Sequence, residues 1–189
     1  MRGHFDAMTV RSLHAEYSLL KADAPLSCEE TVTRLFEESR QDVYRYLLTL
    51  SLAPGQAQEA TQEVFLRLYV ALRRGERIEN PRAWIFRVAH NHGSHVRSRE
   101  DHTRPLDPEI ETLIEDRREN PEQTLLQRER HARFHSALHS LSEQQRNCLF
   151  LRAEGFRYRE IAGILGVSDS TVGEFLRRAI TRLRKVLHD

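Results

Sequence analysis

The stretch from residue 156 to residue 187 restricts the fold of this chain more than any other, because two helical patterns meet there at a single glycine. Gly166 can end the first helix, since glycine adopts the left-handed conformation of a helix C-terminus at little cost. Ser168 is suited to cap the helix that follows. The apolar face of the first helix is predicted at Ile161, Ala162 and Leu165. The apolar stripe of the second helix is predicted at Val172, Leu176, Ile180, Leu183 and Leu187.

The second of these helices also has a basic surface. Its basic residues are Arg177, Arg178, Arg182, Arg184 and Lys185. A helix held in this way can enter a DNA major groove, with its N-terminal residues at the base edges and its arginines near phosphates. The same pattern also fits an ordinary helical hairpin with a solvated basic face. Spacing alone therefore leaves both interpretations open.

The rest of the chain predicts further helices and no strand. Ser27 with Glu30, and Ser142 with Gln145, have the spacing of capping boxes that begin helices. Asn80 followed by proline is a third start signal, since proline is tolerated at the first helical position. Apolar residues recur at three- and four-residue steps after each start. The predicted fold class is all-α.

Four segments follow from these patterns. Residues 1–26 have no sustained periodicity and are predicted to be a loose N-terminal extension. Residues 27–100 form the first small helical domain. Residues 101–123 contain eight acidic and three basic residues, and we predict an acidic, flexible linker there. Residues 124–189 form the second helical domain, which ends with the helix-turn-helix.

Several functions lack their sequence signatures. There is no apolar run long enough to span a membrane and no signal-peptide pattern, so we expect a cytoplasmic protein without membrane insertion. Cys28 and Cys148 are far apart and are interpreted as buried, small apolar residues. No phosphate-binding loop, nucleophile elbow or paired-carboxylate site occurs. We therefore expect neither an enzyme nor a bound cofactor.

Histidines cluster at two places that bear on metal binding. The clusters are His90, His92 and His95, and His131, His135 and His139 at four-residue steps. Neither has a convincing further ligand such as a cysteine pair. We expect no metal site, and a pH-sensitive surface is the stronger alternative.

Two separate stretches carry a family resemblance. Residues 58–75, QEATQEVFLRLYVALRRG, together with PRAWIFRVAHN at 81–91, are similar to conserved region 2 of the sigma-70 family of bacterial RNA polymerase initiation factors. Residues 141–185 are similar to region 4 of the same family, and the chain resembles its small extracytoplasmic-function (ECF) group in particular. The two stretches occur in the family's order and spacing.

The resemblance implies partners for both domains. Region 2 is expected to dock on the clamp of the largest subunit of core RNA polymerase, and region 4 on the flap of the second largest. An anti-sigma factor is a further expected partner. The polymerase-binding candidates are Glu59, Gln62, Glu63, Leu66 and Tyr69. Their mixed acidic and apolar character suits a basic coiled-coil partner, although the residues alone favour a solvated face.

The resemblance also implies that region 2 opens the minus-10 element and holds its non-template strand. An unstacked base needs a basic groove and a pocket. The candidates are Arg74, Arg77, Asn80, Arg82, Arg87, His90 and Asn91. Arg97 and Arg99 are expected near duplex phosphates just upstream. Trp84 lies on the predicted apolar face, so we expect it to pack in the core rather than stack on a base.

Region 4 is expected to bind the minus-35 element as duplex DNA. The candidates are Arg157, Ser168, Ser170, Thr171, Gly173, Glu174, Phe175, Arg177, Arg178 and Arg182. Family members commonly have basic residues shortly after the Thr-Val pair, where this chain has Gly173, Glu174 and Phe175. Glu174 can accept from a cytosine amino group, and Phe175 either contacts a thymine methyl group or packs internally. The arginines are expected to contact phosphates, which makes binding salt-dependent.

Two other functions compete with this interpretation. A self-sufficient helix-turn-helix regulator would dimerise through residues 58–75 and bind a palindromic site. An interaction protein that has lost DNA contact would explain Gly173 and Glu174. The sequence favours an initiation factor that lends promoter specificity to the polymerase and performs no chemistry itself.

Overall fold

The computed structural model describes residues 27–99 and 136–188, and it contains helices and no strand within those ranges. The predicted all-α class is confirmed. The predicted N-terminal extension and acidic linker, with His131 and His135, lie outside the described residues. The main helices are α1 (Cys28–Thr49), α2 (Pro54–Arg73), α3 (Pro81–Arg99), α4 (Glu143–Ala153), α5 (Tyr158–Leu165) and α6 (Asp169–His188).

The predicted helix starts are present as hydrogen-bonded caps. The Ser27 hydroxyl accepts from the Glu30 amide at 3.1 Å, and the Ser27 amide donates to the Glu30 carboxylate at 2.9 Å. Ser142 and Gln145 form the same pair of bonds at the start of α4. The Asn80 side chain accepts from the Ala83 amide at 3.0 Å. Each cap satisfies amides that lack partners within the helix.

Helices α1, α2 and α3 pack around one apolar core. Its fully buried residues include Val43, Leu47, Val64, Leu68 and Ile85. Gly93 lets α3 approach the end of α1, since a Cβ built there would lie 2.7 Å from Leu50 Cδ1 and 2.9 Å from Leu47 Cδ2. Trp84 is partly buried against this core, as expected.

Helices α4, α5 and α6 form the second group. Gly166 adopts φ 67° and ends α5, as predicted. The buried positions of α6 are Val172, Leu176 and Ala179. The prediction for Ile180 was wrong, because this side chain is 42% exposed while Ala179 takes the inward position.

The two groups share a continuous core. Phe86 of α3 is fully buried and meets Phe156, which precedes α5, edge-on with ring centroids 5.0 Å apart. Tyr46 of α1 and Phe150 of α4 are 5.5 Å apart. The apolar layer thus extends from one helical group into the other.

The cysteines differ in environment. Burial raises the pKa of the Cys148 thiol to about 11, in keeping with its predicted buried position. Cys28 is only partly buried at the start of α1, so its predicted burial was wrong. None of the helices in the described ranges has the length and apolar character needed to cross a bilayer.

Candidate nucleic-acid and polymerase interfaces

Helix α2 has an apolar patch on its outer surface. Leu66 is 56% exposed and Val70, one turn later, is 37% exposed, while the opposite side of the helix fills the core. Glu59 and Gln62 are exposed on the same helix. Val70 was not among the polymerase-binding residues expected from the sequence. Its spacing of four residues from Leu66 is the signal that links it to the patch.

Two predicted polymerase-binding residues have intramolecular partners. Glu63 forms an ion pair with Arg67 at 2.7 Å. The Tyr69 hydroxyl donates to Glu29 at 3.1 Å and accepts from Arg73 at 3.2 Å. A backbone hydrogen bond is the main cause that lowers the pKa of the Glu29 carboxyl, and the hydrogen bond from the Tyr69 hydroxyl lowers it further. These contacts hold the ends of α1 and α2 together beside the exposed patch.

Five of the seven predicted minus-10 residues are exposed. Asn80 contacts the second helical group, and the other four are Arg74, which caps the C-terminus of α2, Arg77 after it, and Arg87 and Asn91 on α3. This basic and amide surface is open to solvent, so a flexible anionic strand can reach it without any change in the protein.

Asn80, which caps α3, and Arg82, in its first turn, contact the second helical group. The Asn80 amide donates to Glu160 at 2.7 Å. Arg82 donates to the Glu154 carbonyl at 2.7 Å and to its carboxylate at 2.9 Å, and its guanidinium lies 4.7 Å from the Phe156 ring centroid. Burial raises the pKa of Glu154, and nearby Asp42 adds to that shift.

His90, another predicted minus-10 residue, faces the protein interior. Its Nδ1 lies 2.9 Å from the Tyr46 hydroxyl, which is fully buried. Burial lowers the pKa of His90 and raises that of Tyr46. Within the described ranges no three histidine, cysteine or acidic side chains come together as a metal site.

The turn before α6 presents three hydroxyl groups. Ser168 accepts from the Thr171 amide at 3.2 Å and lies 2.8 Å from the hydroxyls of Ser170 and Thr171. Ser168 and Ser170 are exposed. This is the helix N-terminus at which the predicted base contacts lie, and hydroxyls there can serve as donors or acceptors.

The atypical stretch of α6 has a defined environment. Tyr158, which is 45% exposed, lies beside Gly173, where an added Cβ would be 3.6 Å from the ring. Glu174 forms an ion pair with Arg178 one turn later. Phe175 is partly buried against the core, which favours its packing role. The predicted phosphate contacts Arg157, Arg177, Arg178 and Arg182 are all exposed.

Tyr158 was absent from the sequence-based site. It is an exposed aromatic residue at the start of α5, next to the expected DNA face. Its position between two arginines, Arg157 and Arg159, is the sequence signal that could have indicated it.

Family comparisons match both helical groups. Residues 35–101 match the family described as Sigma-70 region 2, and residues 131–183 match Sigma-70, region 4. These are the regions that the sequence resemblance indicated.

Curated relatives are similar over most of the chain. A probable RNA polymerase sigma-C factor of Mycobacterium bovis is 30% identical over 153 residues, which cover 75% of each chain. The ECF RNA polymerase sigma factor BldN of Streptomyces coelicolor is 29% identical, covering 82% of this chain and 60% of its own. The ECF RNA polymerase sigma factor SigM of Bacillus subtilis is 24% identical, and the match covers 82% of this chain and 93% of SigM.

Two solved structures share the fold. CnrH in complex with the cytosolic domain of CnrY has a TM-score of 0.57 at 20% identity, covering 85% of this chain and 89% of that one. The sigma factor RpoE, in complex with the anti-sigma factor NepR from Bartonella quintana, has a TM-score of 0.57 at 24% identity, covering 82% and 96%.

Proposed function

The chain belongs to the ECF group of the sigma-70 family, and on that premise we propose how its two domains share the work of starting transcription. The protein is a transcription initiation factor that directs RNA polymerase to promoters. The proposal assigns residues 27–100 to core polymerase and the minus-10 element, and residues 124–189 to the minus-35 element. It gives the protein no chemistry of its own and a cytoplasmic location, where polymerase and promoters are.

The observation that carries the polymerase assignment is the exposed Leu66–Val70 pair on α2. An apolar pair on a helix whose other side is buried is suited to anchor a protein partner, and acids around it steer a basic one. Glu59, Gln62, Glu63 and Tyr69 surround the pair. The partner we assign is the clamp of the largest subunit, with the flap of the second largest contacting the second domain.

The minus-10 assignment is supported by the basic residues around the start of α3. Arg74 and Arg77 lie before the helix, and Arg87 and Asn91 lie on it, all exposed. Arginine binds phosphates through charge-assisted hydrogen bonds and stacks on bases. These residues suit a single strand whose bases have been unstacked.

The minus-35 assignment is supported by the exposed N-terminus of α6. Ser168, Ser170 and Glu174 lie where a recognition helix meets base edges, with Arg177, Arg178 and Arg182 near phosphates. An anti-sigma factor is a further partner in this proposal, since the two structural relatives were solved with their own protein partners, one of which is named as an anti-sigma factor.

Run-off transcription with purified bacterial core polymerase tests these assignments. The template is the DNA upstream of the protein's own gene. Wild-type protein is expected to give a defined start site. Leu66→Glu places a charge in the exposed apolar patch without touching the core, and we expect it to lower both polymerase binding and transcript yield at least about tenfold.

Gln41→Glu on α1 is the matched control, since it adds the same carboxylate at an exposed position outside the assigned surfaces. We expect it to leave the yield unchanged. If Leu66→Glu behaves like Gln41→Glu, the polymerase surface is wrongly assigned. If the wild type binds duplex DNA as a dimer and never binds core polymerase, the stand-alone regulator replaces the initiation factor.

A further inference from the structure

Tyr158, at the start of α5, is an exposed aromatic residue to which neither domain's assigned contacts give a role. Its side chain is 45% exposed, and it is the one aromatic residue among the large apolar side chains that are exposed in the described part of the chain. A large ring that becomes buried against a partner removes much apolar surface from water, so aromatic residues dominate the energy of many interfaces. The Tyr158 ring is therefore available to a partner.

A cation holds this ring on one side. The Arg152 guanidinium lies 5.9 Å from the Tyr158 ring centroid. The same guanidinium donates to the Phe156 carbonyl at 3.0 Å, which ties it to the turn before α5. Because the face of an aromatic ring attracts a cation, this contact favours one orientation of the ring before any partner binds.

Gly173 brings the ring to the DNA-facing side of α6. A Cβ at Gly173 would lie 3.6 Å from Tyr158 Cε2, so the ring lies against α6 at a point where that helix has no side chain. Ser170 and Arg177, three residues before Gly173 and four after it, lie on the same side of α6 and are exposed. The ring therefore lies beside groups that are assigned to the minus-35 element.

The surroundings of the ring are basic. Arg157 and Arg159, its neighbours in the chain, are both exposed. Arginines contact DNA phosphates, and these contacts position a protein without reading the sequence. An apolar ring needs an apolar partner, and the apolar group that base edges present in the major groove is the 5-methyl group of thymine. The combination favours duplex DNA with a thymine beside α6.

We propose that Tyr158 is a specificity-determining residue of the minus-35 contact, and that its ring packs on a thymine methyl group through the space left at Gly173. The proposal rests on the minus-35 role assigned to α6. The ring takes the place of a side chain that α6 lacks at this point, so a residue of α5 contributes to base recognition. Burial of one methyl group corresponds to about a fourfold change in affinity.

The test uses holoenzyme formed from purified bacterial core polymerase and the full chain. The probe is a labelled duplex of the DNA upstream of the gene, with the start site mapped by run-off transcription. In companion duplexes each thymine of the minus-35 element, on either strand, is replaced in turn by deoxyuridine, which lacks the methyl group and keeps the same hydrogen-bonding groups. Fluorescence anisotropy at one fixed salt concentration measures the affinities.

We expect one deoxyuridine substitution to lower the affinity of the wild type about fourfold. Tyr158→Ala should lose about the same factor on the intact duplex and show no further loss on the substituted one, because the ring that contacts the methyl group is absent. Tyr158→Phe keeps the ring and should keep the dependence on the methyl group. Gly173→Lys should lose this dependence, because its side chain fills the space through which the ring acts.

Arg159→Ala is the matched control, since it shortens the next exposed side chain and leaves the ring in place. We expect it to weaken binding to the intact and substituted duplexes by the same factor. The proposal is overturned if Tyr158→Ala retains the methyl dependence of the wild type. It is equally overturned if no thymine methyl group of the element affects binding of the wild type, as when the ring packs only on the sugar-phosphate backbone.

The minus-35 assignment has a separate readout in the same experiment. Preference of the wild-type holoenzyme for the upstream duplex over one with a scrambled minus-35 element supports that assignment. If the preference is present and the methyl dependence is absent, the assignment stands and the role of Tyr158 is wrong. If the preference is absent, the assignment fails and the role of Tyr158 fails with it.

Discussion

Gly93 shows how closely a single residue can determine helix packing. It is buried in α3, and any side chain there meets the ends of two leucines that are themselves fully buried. Gly163 in α5 is the opposite case, since an added Cβ would have no atom within 4 Å. The same residue type thus meets a packing requirement at one position and only weakens a helix at the other.

Alanine at the two positions should change stability in opposite directions. Gly163→Ala is expected to stabilise the protein by up to about 1 kcal/mol through helix propensity. Gly93→Ala gains the same propensity but overpacks the core, which typically costs about 1–3 kcal/mol, so we expect net destabilisation. Urea denaturation of both variants measures the difference. Equal stabilisation by both would mean that Leu47 and Leu50 move aside without cost.

At the scale of helices, local signals were sufficient to predict most starts and ends. The caps at Ser27 and Ser142 were predictable because each depends on residues three apart in the chain. The inner face of α6 was predicted less well. Repeated four-residue steps drift by about 40° each around a helix of 3.6 residues per turn, so the stripe leaves the core by Ile180 and Ala179 replaces it.

Helix α6 also has an acidic residue in its DNA-facing stretch, and this leads to a prediction about specificity. Glu174→Gln removes a negative charge from the expected phosphate surface and releases Arg178 from its ion pair. We expect tighter binding to any duplex and a steeper salt dependence. If Glu174 accepts from a cytosine, preference for the promoter over scrambled duplex should fall by about 1–3 kcal/mol.

Anisotropy at two salt concentrations measures both effects. Glu37→Gln on α1 is the control, because it makes the same charge change at an exposed position outside the site. A promoter preference that stays the same in Glu174→Gln would remove Glu174 from base recognition.

At the scale of the whole molecule, the contact between the two domains could not be predicted from the sequence patterns. Arg82 was predicted to bind the minus-10 strand, and no sequence pattern indicated its partner Glu154, which is 72 residues away. Phe86 of α3 is fully buried, and the ring it meets, Phe156, belongs to the other domain. Periodicity identifies which face of a helix is apolar, and it carries no information about which distant face will cover it.

His90, which contacts Tyr46 near the boundary between the two domains, makes the free energy of unfolding depend on pH. The groups nearest to it are the Tyr46 hydroxyl, Glu143 and Arg97. Burial lowers its folded-state pKa below the ordinary value of 6.5, so the unfolded chain binds more protons as the pH falls through that value. Its contribution to stability is therefore present above about pH 6.5 and is lost on acidification.

Denaturation between about pH 7.5 and 5.5 should show this loss in the wild type and a smaller one in His90→Gln. His139→Gln is the control, since His139 is exposed in the second domain. His92 also has a lowered pKa through burial, so a residual slope is expected in His90→Gln. Identical slopes in all three proteins would contradict a lowered pKa for the partly buried His90.

The bond between Asn80 and Glu160 joins two residues of one chain, so forming it is a unimolecular step. The fraction of molecules that contain it therefore does not change with protein concentration. Dilution does not break it, whereas a contact with a separate protein is lost from most molecules once the factor outnumbers that protein.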